Sequence, residues 1–379
     1  MPTNTATEDT EGAQYLKQPQ FHKRFTLPAT ADHDALEVGY SDLGCQPTAE
    51  TAPPVVLFMP GMFASRFYGA LMGVVGERMG VRVLTVDRRV TEFRPGIGYS
   101  TDVKLTKRVS IWVELVPQLL AHLGIQHVSL ISYSAGVIYL LNTLYSYRDV
   151  LSPTRPYAAI LAPWVDVKHS GVKMLQAAQL VPNIAFGSLN SLIKAMATIV
   201  PAVGSSVGFV GKWLSESTPA SESRSEMSQN RLHWQKTYGV SNDFLDTILD
   251  ASLEAMYAEN TAGSNSEVRQ CLKKEGDGTW GVCEDFEVFV RELAARERSR
   301  GLGPKIRVKM LFADDDPMIG AVGRRYMESC WDCEGKFGDV LEFTSAGVEG
   351  ADHNSIVTLV AVLEEILGDV VSGDDAATS

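Results

Sequence analysis

Along the chain, short runs of apolar and β-branched residues alternate with longer stretches in which apolar positions recur every three to four residues. The short runs are VVLFMPG (55–61), VRVLTVD (81–87), HVSLISYS (127–134), YAAILAPW (157–164), IRVKMLFA (306–313) and VLEFTSAG (340–347). Near-continuous apolar runs of this kind are strands covered on both faces, which points to a parallel sheet flanked by helices. The longer stretches predict helices near 66–79, 110–123, 135–147, 318–330 and 354–367. Strand and helix in turn give a doubly wound α/β pattern. Ahead of it, FHKRFTLP (21–28) and ALEVGYSDLG (35–44) have no helix between them and predict an antiparallel start to the sheet.

The alternation stops between Val165 and Lys305, an interval far beyond the usual connection between elements, so it must form a substructure of its own. Within it GVKMLQAAQL (171–180), NSLIKAMATI (190–199) and DFLDTILDASLEAMYAEN (243–260) have helical spacing, whereas SESTPASESRSEMSQ (215–229) reads as a polar, flexible breaker. The expected organisation is a sheet-and-helix core over 21–164 and 306–370, a helical cap over 165–305, and disordered tails at 1–20 and 371–379. The uncharged run AMATIVPAVGSSVGFVG (195–211) is too short and too rich in Pro and Gly to read as a membrane span, and is placed in the cap.

Composition narrows the partners. With 34 Lys and Arg against 46 Asp and Glu, the formal charge of −12 repels a phosphate backbone or an anionic membrane, so nucleic acid is an unsuitable partner. The first twenty residues are polar and acidic and lack the apolar core of a secretory signal. Five cysteines, an odd number, fit free thiols in a reducing compartment, and the expected location is the cytoplasm. Cys330 and Cys333 form CWDC with no second such pair and read as two helix-end thiols, and no His has metal-ligand spacing with another His or Cys, so no metal site is expected.

The chemistry concentrates in SYSAG (132–136), where a strand passes directly into a helix. A turn that sharp crowds the backbone two residues either side, so Ser132 and Gly136 must be small around Ser134, in the manner of a nucleophile elbow. A hydroxyl needs imidazole to take its proton and a carboxylate to orient that imidazole, in the chain order Ser, acid, His. His353, in GVEGADHNS after the last strand, is the base. The acid candidates are Asp314, Asp315 and Asp316, which follow the strand IRVKMLFA, and Asp166 in APWVDV; Asp316 is the choice, with Asp166 the alternative. The backbone N–H groups of Ala135 and Met62 are the candidate oxyanion donors. Gly61, Phe63, Tyr133 and Trp164 near the strand ends are expected to line an apolar pocket.

These residues together resemble the α/β-hydrolase superfamily. PGMFASR (60–66) is similar to its HGxPGSR oxyanion loop, RPGIGYS (94–100) to its RPGxGxS turn, and ADDDPMIG (313–320) to the stretch that carries the catalytic acid, which places that acid at Asp316. The chain departs from the pattern in Ser132 for Gly, Pro60 for His, Phe63 and Ala64 for Pro and Gly, and RVTEF (89–93) lengthening the loop before Arg94. The resemblance implies an eight-stranded sheet, a cap after strand six, and hydrolase chemistry without a cofactor. The expected activity is cleavage of an ester, lactone or thioester of a hydrophobic small molecule. The alternatives are C–C bond hydrolysis, cyclisation or acyl transfer, and a non-catalytic ligand-binding role. The apolar cap could also form the face of a homodimer.

Overall fold

The computed structural model describes residues 10–62, 64–87, 91–92, 104–180, 221–259, 262–274, 279–301, 303–332 and 335–372. Phe63, the turn 94–100, Cys333, the apolar run 195–211 and the tail 373–379 lie outside them. Every apolar run becomes a strand: β1 (Lys23–Leu27), β2 (Leu36–Gly44), β3 (Val55–Met59), β4 (Arg82–Val86), β6 (Ser129–Tyr133), β7 (Tyr157–Leu161), β8 (Ile306–Asp315) and β9 (Leu341–Asp352). They form one sheet in the order β1-β2-β4-β3-β6-β7-β8-β9. The pairings of β1 with β2 and of β2 with β4 are antiparallel, and all later ones are parallel. A ninth piece, β5 (Thr91–Glu92), falls in the segment read only as a lengthened loop and pairs antiparallel with Leu36 and Glu37.

Both faces of the sheet are covered, as the unbroken apolar runs require. Leu57, Met59, Leu130, Ile160, Val308 and Met310 face a cluster completed by the helices Leu105–His122, Gly136–Ser146, Phe286–Arg300 and Gly320–Trp331. Val56, Phe58, Ile131, Tyr133, Leu161 and Leu311 face the other, completed by Ala70–Met79 and Val360–Val371. After β3 the chain turns to one side to make β4, then crosses back to place β6 on the other side of β3. That reversal opens a crevice at the carboxyl ends of β3 and β6, where doubly wound sheets bind ligands.

Three expectations are corrected. Residues 1–20 are not wholly a disordered tail: Glu11–Leu16 is a helix capped by the Thr10 hydroxyl on the Ala13 N–H, with Leu16 buried. The Ser-rich stretch read as a flexible breaker is helical in its latter part, within Ser221–Tyr238. Its Glu, Arg, Gln and Lys are good helix formers, and two side chains anchor it: Asn230 Oδ1 accepts the Val360 N–H at 2.9 Å and the Trp234 indole donates to the Thr358 carbonyl at 3.1 Å. The helix Phe286–Arg300, placed in the cap, instead flanks the sheet: Phe286, Phe289, Val290, Leu293 and Ala294 enter the first core cluster beside Met327 and Trp331. Between β7 and β8 the described residues form helices without a strand.

Candidate active site

Ser134 sits where β6 gives way to the helix Gly136–Ser146, with φ at +52°, a left-handed conformation costly for a residue with a side chain. The surroundings hold it there: the Ser134 N–H donates to the Leu161 carbonyl at 2.9 Å, and the Ser134 carbonyl accepts the Trp164 N–H at 3.1 Å. Both bonds tie the elbow to the end of β7. The smallness of the flanking residues has a steric cause, since a Cβ on Gly136 would lie 1.9 Å from the Met59 carbonyl oxygen. Ser132 is wholly buried and its hydroxyl has no hydrogen-bond partner among the described residues.

His353 follows β9, and an irregularity in the ladder directs it. From the Ala313–Val348 pair to the Asp315–Asp352 pair, β9 carries extra residues that β8 lacks, with Gly350 at φ +69° among them. The bulge carries His353 across the sheet end toward Ser134. His353 Nε2 lies 2.9 Å from Ser134 Oγ and His353 Nδ1 lies 2.7 Å from Asp316 Oδ2. The other carboxylate oxygen, Asp316 Oδ1, accepts the N–H groups of Met318 and Ile319 at 2.8 and 2.9 Å, which fixes the carboxylate in the turn after β8. Ser134 and His353 are buried, 4% and 5% exposed, so their hydrogen bonds are shielded from bulk water.

Asp314 and Asp166 are engaged elsewhere, and Asp315 is exposed. Asp314 pairs with Arg324 at 3.2 Å, and both Asp314 and Asp315 are exposed. Asp166 caps Val167–Ser170 through the Lys168 N–H and pairs with Lys273 at 3.0 Å and Lys168 at 3.6 Å. Burial pushes the Asp166 carboxyl up, but the bond to Lys273, the Lys168 N–H and the two ammonium charges together bring it below its ordinary value.

Around the nucleophile, Gly61 allows the loop after β3 to approach closely: a Cβ there would lie 2.8 Å from the Tyr133 ring and 3.2 Å from Ser134 Cβ. The N–H groups of Met62 and Ala135 make no hydrogen bond among the described residues. Arg66 anchors this loop from below. Its N–H and guanidinium take both Asp87 carboxylate oxygens, at 2.7 and 2.5 Å, and its Nε donates to the Phe21 carbonyl at 2.6 Å. Tyr133 is buried beside His353, while the Trp164 side chain is packed in the core with its indole N–H on the Cys271 carbonyl at 3.1 Å. Sequence reasoning did not single out Tyr68, whose ring stacks on Tyr133 at 5.9 Å, nor Lys273; the first falls just after the loop that follows β3 and had a positional signal, the second had none.

No family model and no curated protein matches the chain. Solved structures do. An epoxide hydrolase from Vigna radiata aligns with 94% of this chain and 100% of its own at 15% identity, with a TM-score of 0.52. A structure from a study of carboxylesterases of the thaumarchaeon Nitrososphaera gargenis aligns with 93% of this chain and 100% of its own at 12% identity and a TM-score of 0.51. A potato epoxide hydrolase gives 92%, 99%, 14% and 0.51 in the same order. The chain has the α/β-hydrolase fold. At these identities the likeness concerns the fold, and an α/β-hydrolase fold carries many reactions, so the chemistry has to be argued from the side chains. Among the described residues no group of His, Cys, Asp and Glu is arranged to hold a metal ion, and no helix is long and apolar enough to cross a membrane. The Cys330 thiol is pushed up to about 11 by burial, which keeps it from acting as a thiolate near neutral pH.

Proposed function

We propose that this protein is a serine hydrolase that cleaves an ester, lactone or thioester of a hydrophobic small molecule. The observation that carries the reading is the unbroken chain Ser134 Oγ, His353 Nε2, His353 Nδ1, Asp316 Oδ2, with links of 2.9 and 2.7 Å at a strained elbow. Ser134 Oγ bonds to the acyl carbon as its proton passes to His353 Nε2, and Asp316 steadies the imidazolium. The oxygen or sulfur of the leaving group takes that proton as its bond to carbon breaks. Water then gives a proton to Nε2, attacks the acyl-serine and releases the acid, and the serine regains its hydrogen. The N–H groups of Ala135 and Met62 are the donors proposed for the oxyanion, each worth about 3 kcal/mol in the transition state. Tyr68, stacked on the Tyr133 ring, and the half-buried Met62 that follows Gly61 suit an apolar acyl or alcohol part.

The similar structures include epoxide hydrolases as well as a carboxylesterase study. A serine that opened an epoxide would be left as an ether, which water activated by imidazole does not cleave, whereas an acyl-serine is an ester and turns over. The nucleophile's identity therefore favours acyl chemistry.

On short-chain p-nitrophenyl esters, Ser134→Ala and His353→Ala are each expected to lower kcat by ~10⁴-fold or more. Asp316→Asn should cost about as much, while Asp166→Asn leaves kcat near that of the wild type. Wild-type turnover in Ser134→Ala would overturn the reading, and comparison of products with water or an added alcohol as acceptor reports where the acyl group goes.

A further inference from the structure

We infer that Tyr133 is a positioning residue that fixes the base, His353, relative to the strand carrying the nucleophile. The inference rests on the proposed roles of Ser134 and His353. The turn that presents His353 is closed mostly from within: Asp352 Oδ1 accepts the N–H groups of Asn354 and Ser355 at 2.9 and 2.7 Å, and the Ser355 hydroxyl accepts the Asp352 N–H at 2.8 Å. Those bonds shape the turn, and the Asp315–Asp352 pairing and the Asp316 carboxylate hold it from the β8 side. The Tyr133 phenol holds it from the β6 side, donating to the His353 carbonyl at 2.9 Å, with Asn354 Oδ1 at 3.4 Å beside it. Among the described hydrogen bonds these are the ones that join this turn to a side chain of β6, the strand that ends at the nucleophile.

The Tyr133 ring is itself held. It lies 5.4 Å from the imidazole at 41°, Tyr68 stacks on it at 5.9 Å and 8°, and Gly61 packs against its edge. At 5% exposure the phenol is buried, which suits an internal tie better than a substrate contact. Burial, then the neighbouring Tyr68, Asp316 and Asp352, raise its ionisation well above that of free tyrosine, so the group stays a donor where imidazole works as a base. Base, oxyanion loop and nucleophile thus share one aromatic side chain, placed one residue before Ser134. A shift of about 1 Å in a catalytic group can cost ~100-fold in rate, so a tie of this kind is sufficient to govern turnover.

Tyr133→Phe keeps the ring and removes the tie. The expected result is a folded protein whose kcat on short acyl esters falls about 10- to 100-fold with KM within twofold, and whose Ser134 reacts with a fluorophosphonate more slowly by a similar factor. Tyr133→Leu, which also removes the ring, is the second variant and is expected to be at least as slow. Labelling of Ser134 in wild type separates the two readings. If wild-type Ser134 is not labelled, the nucleophile assignment itself fails. If wild type is labelled and Tyr133→Phe matches it in labelling rate and kcat, or changes only KM, the positioning role is overturned while the nucleophile stands.

Discussion

The elbow stores strain and steric exclusion within three residues, and each can be changed separately. The left-handed Ser134 costs roughly 1–2 kcal/mol that the bonds to Leu161 and Trp164 must offset. Gly136 has no room for a methyl group, because the atoms it would meet are the backbone carbonyls of Met59 and Pro60 at 1.9 and 2.8 Å. Gly136→Ala is therefore expected to destabilise the protein by about 3 kcal/mol or more, read as a lower denaturant midpoint. Ser132 is the opposite case: its Cβ is already accommodated, and its buried hydroxyl has no partner among the described residues. Ser132→Ala removes an unsatisfied polar group without opening a cavity larger than one oxygen, so stability should rise by about 1 kcal/mol. A loss of stability in Ser132→Ala would show that the hydroxyl is satisfied in solution. The small-x-Ser-x-small spacing was readable from sequence because backbone crowding acts over five residues, and the order of Asp316 and His353 after it was readable because the topology fixes it.

At the level of elements, the start of the insertion is tied to its later part by a half-buried ionic hub. Lys273, itself at φ +50°, places Nζ 3.0 Å from Asp166, 3.0 Å from Glu284 and 4.3 Å from the centre of the Trp280 ring. Burial lowers the Lys273 ammonium, but its bonds to Glu284 and Asp166 outweigh that and raise it overall. Because Asp166 is lowered when folded, its contribution is present above its ordinary value of 3.8 and lost as pH falls through the lower folded value. Lys273→Met leaves the Asp166 and Glu284 carboxylates without their shared cation, with only the more exposed Lys168 remaining beside Asp166. The expected cost at pH 7 is about 2–4 kcal/mol, reduced from the fully buried case because solvent reaches part of the hub. Thermal melts of wild type and Lys273→Met should converge as pH falls from above the ordinary carboxylate value through the lowered folded value of Asp166; a gap that does not narrow in acid would exclude Asp166 as the partner that matters. Sequence could offer Asp166 as an acid but not assign it this role, since Lys273 and Glu284 lie more than a hundred residues away. The same limit explains the helix after His353: periodicity placed it at 354–367, whereas Ser355–Val357 closes the histidine turn and the helix proper begins at Val360, capped from the insertion by Asn230.

Across the whole molecule, the segment before β1 joins parts that are remote in sequence. The Glu11–Leu16 helix lies on the insertion helix Asn242–Glu259 so closely that a Cβ on Gly12 would be 2.7 Å from the Ile248 backbone, and the Gly12 N–H donates to Thr247 Oγ1 at 3.1 Å. Tyr15 meets Phe244 and Phe21 edge-on, Phe21 stacks with Phe67, and the Phe21 carbonyl receives Arg66, which also holds Asp87 under the loop after β3. The polar, acidic composition of the first twenty residues conceals this role, because the apolar partners of Leu16 and Phe21 lie in other elements. Deleting residues 1–21 removes two buried side chains worth roughly 1.5–3 kcal/mol each and takes one acceptor from a buried guanidinium. The truncated protein should unfold at least ~3 kcal/mol more easily. Its kcat should also fall while Ser134 remains reactive to a fluorophosphonate, since Ser134, His353 and Asp316 are untouched and the change reaches the proposed site through Arg66. Wild-type melting and wild-type kcat after the deletion would show that the segment neither braces the insertion nor supports the loop after β3.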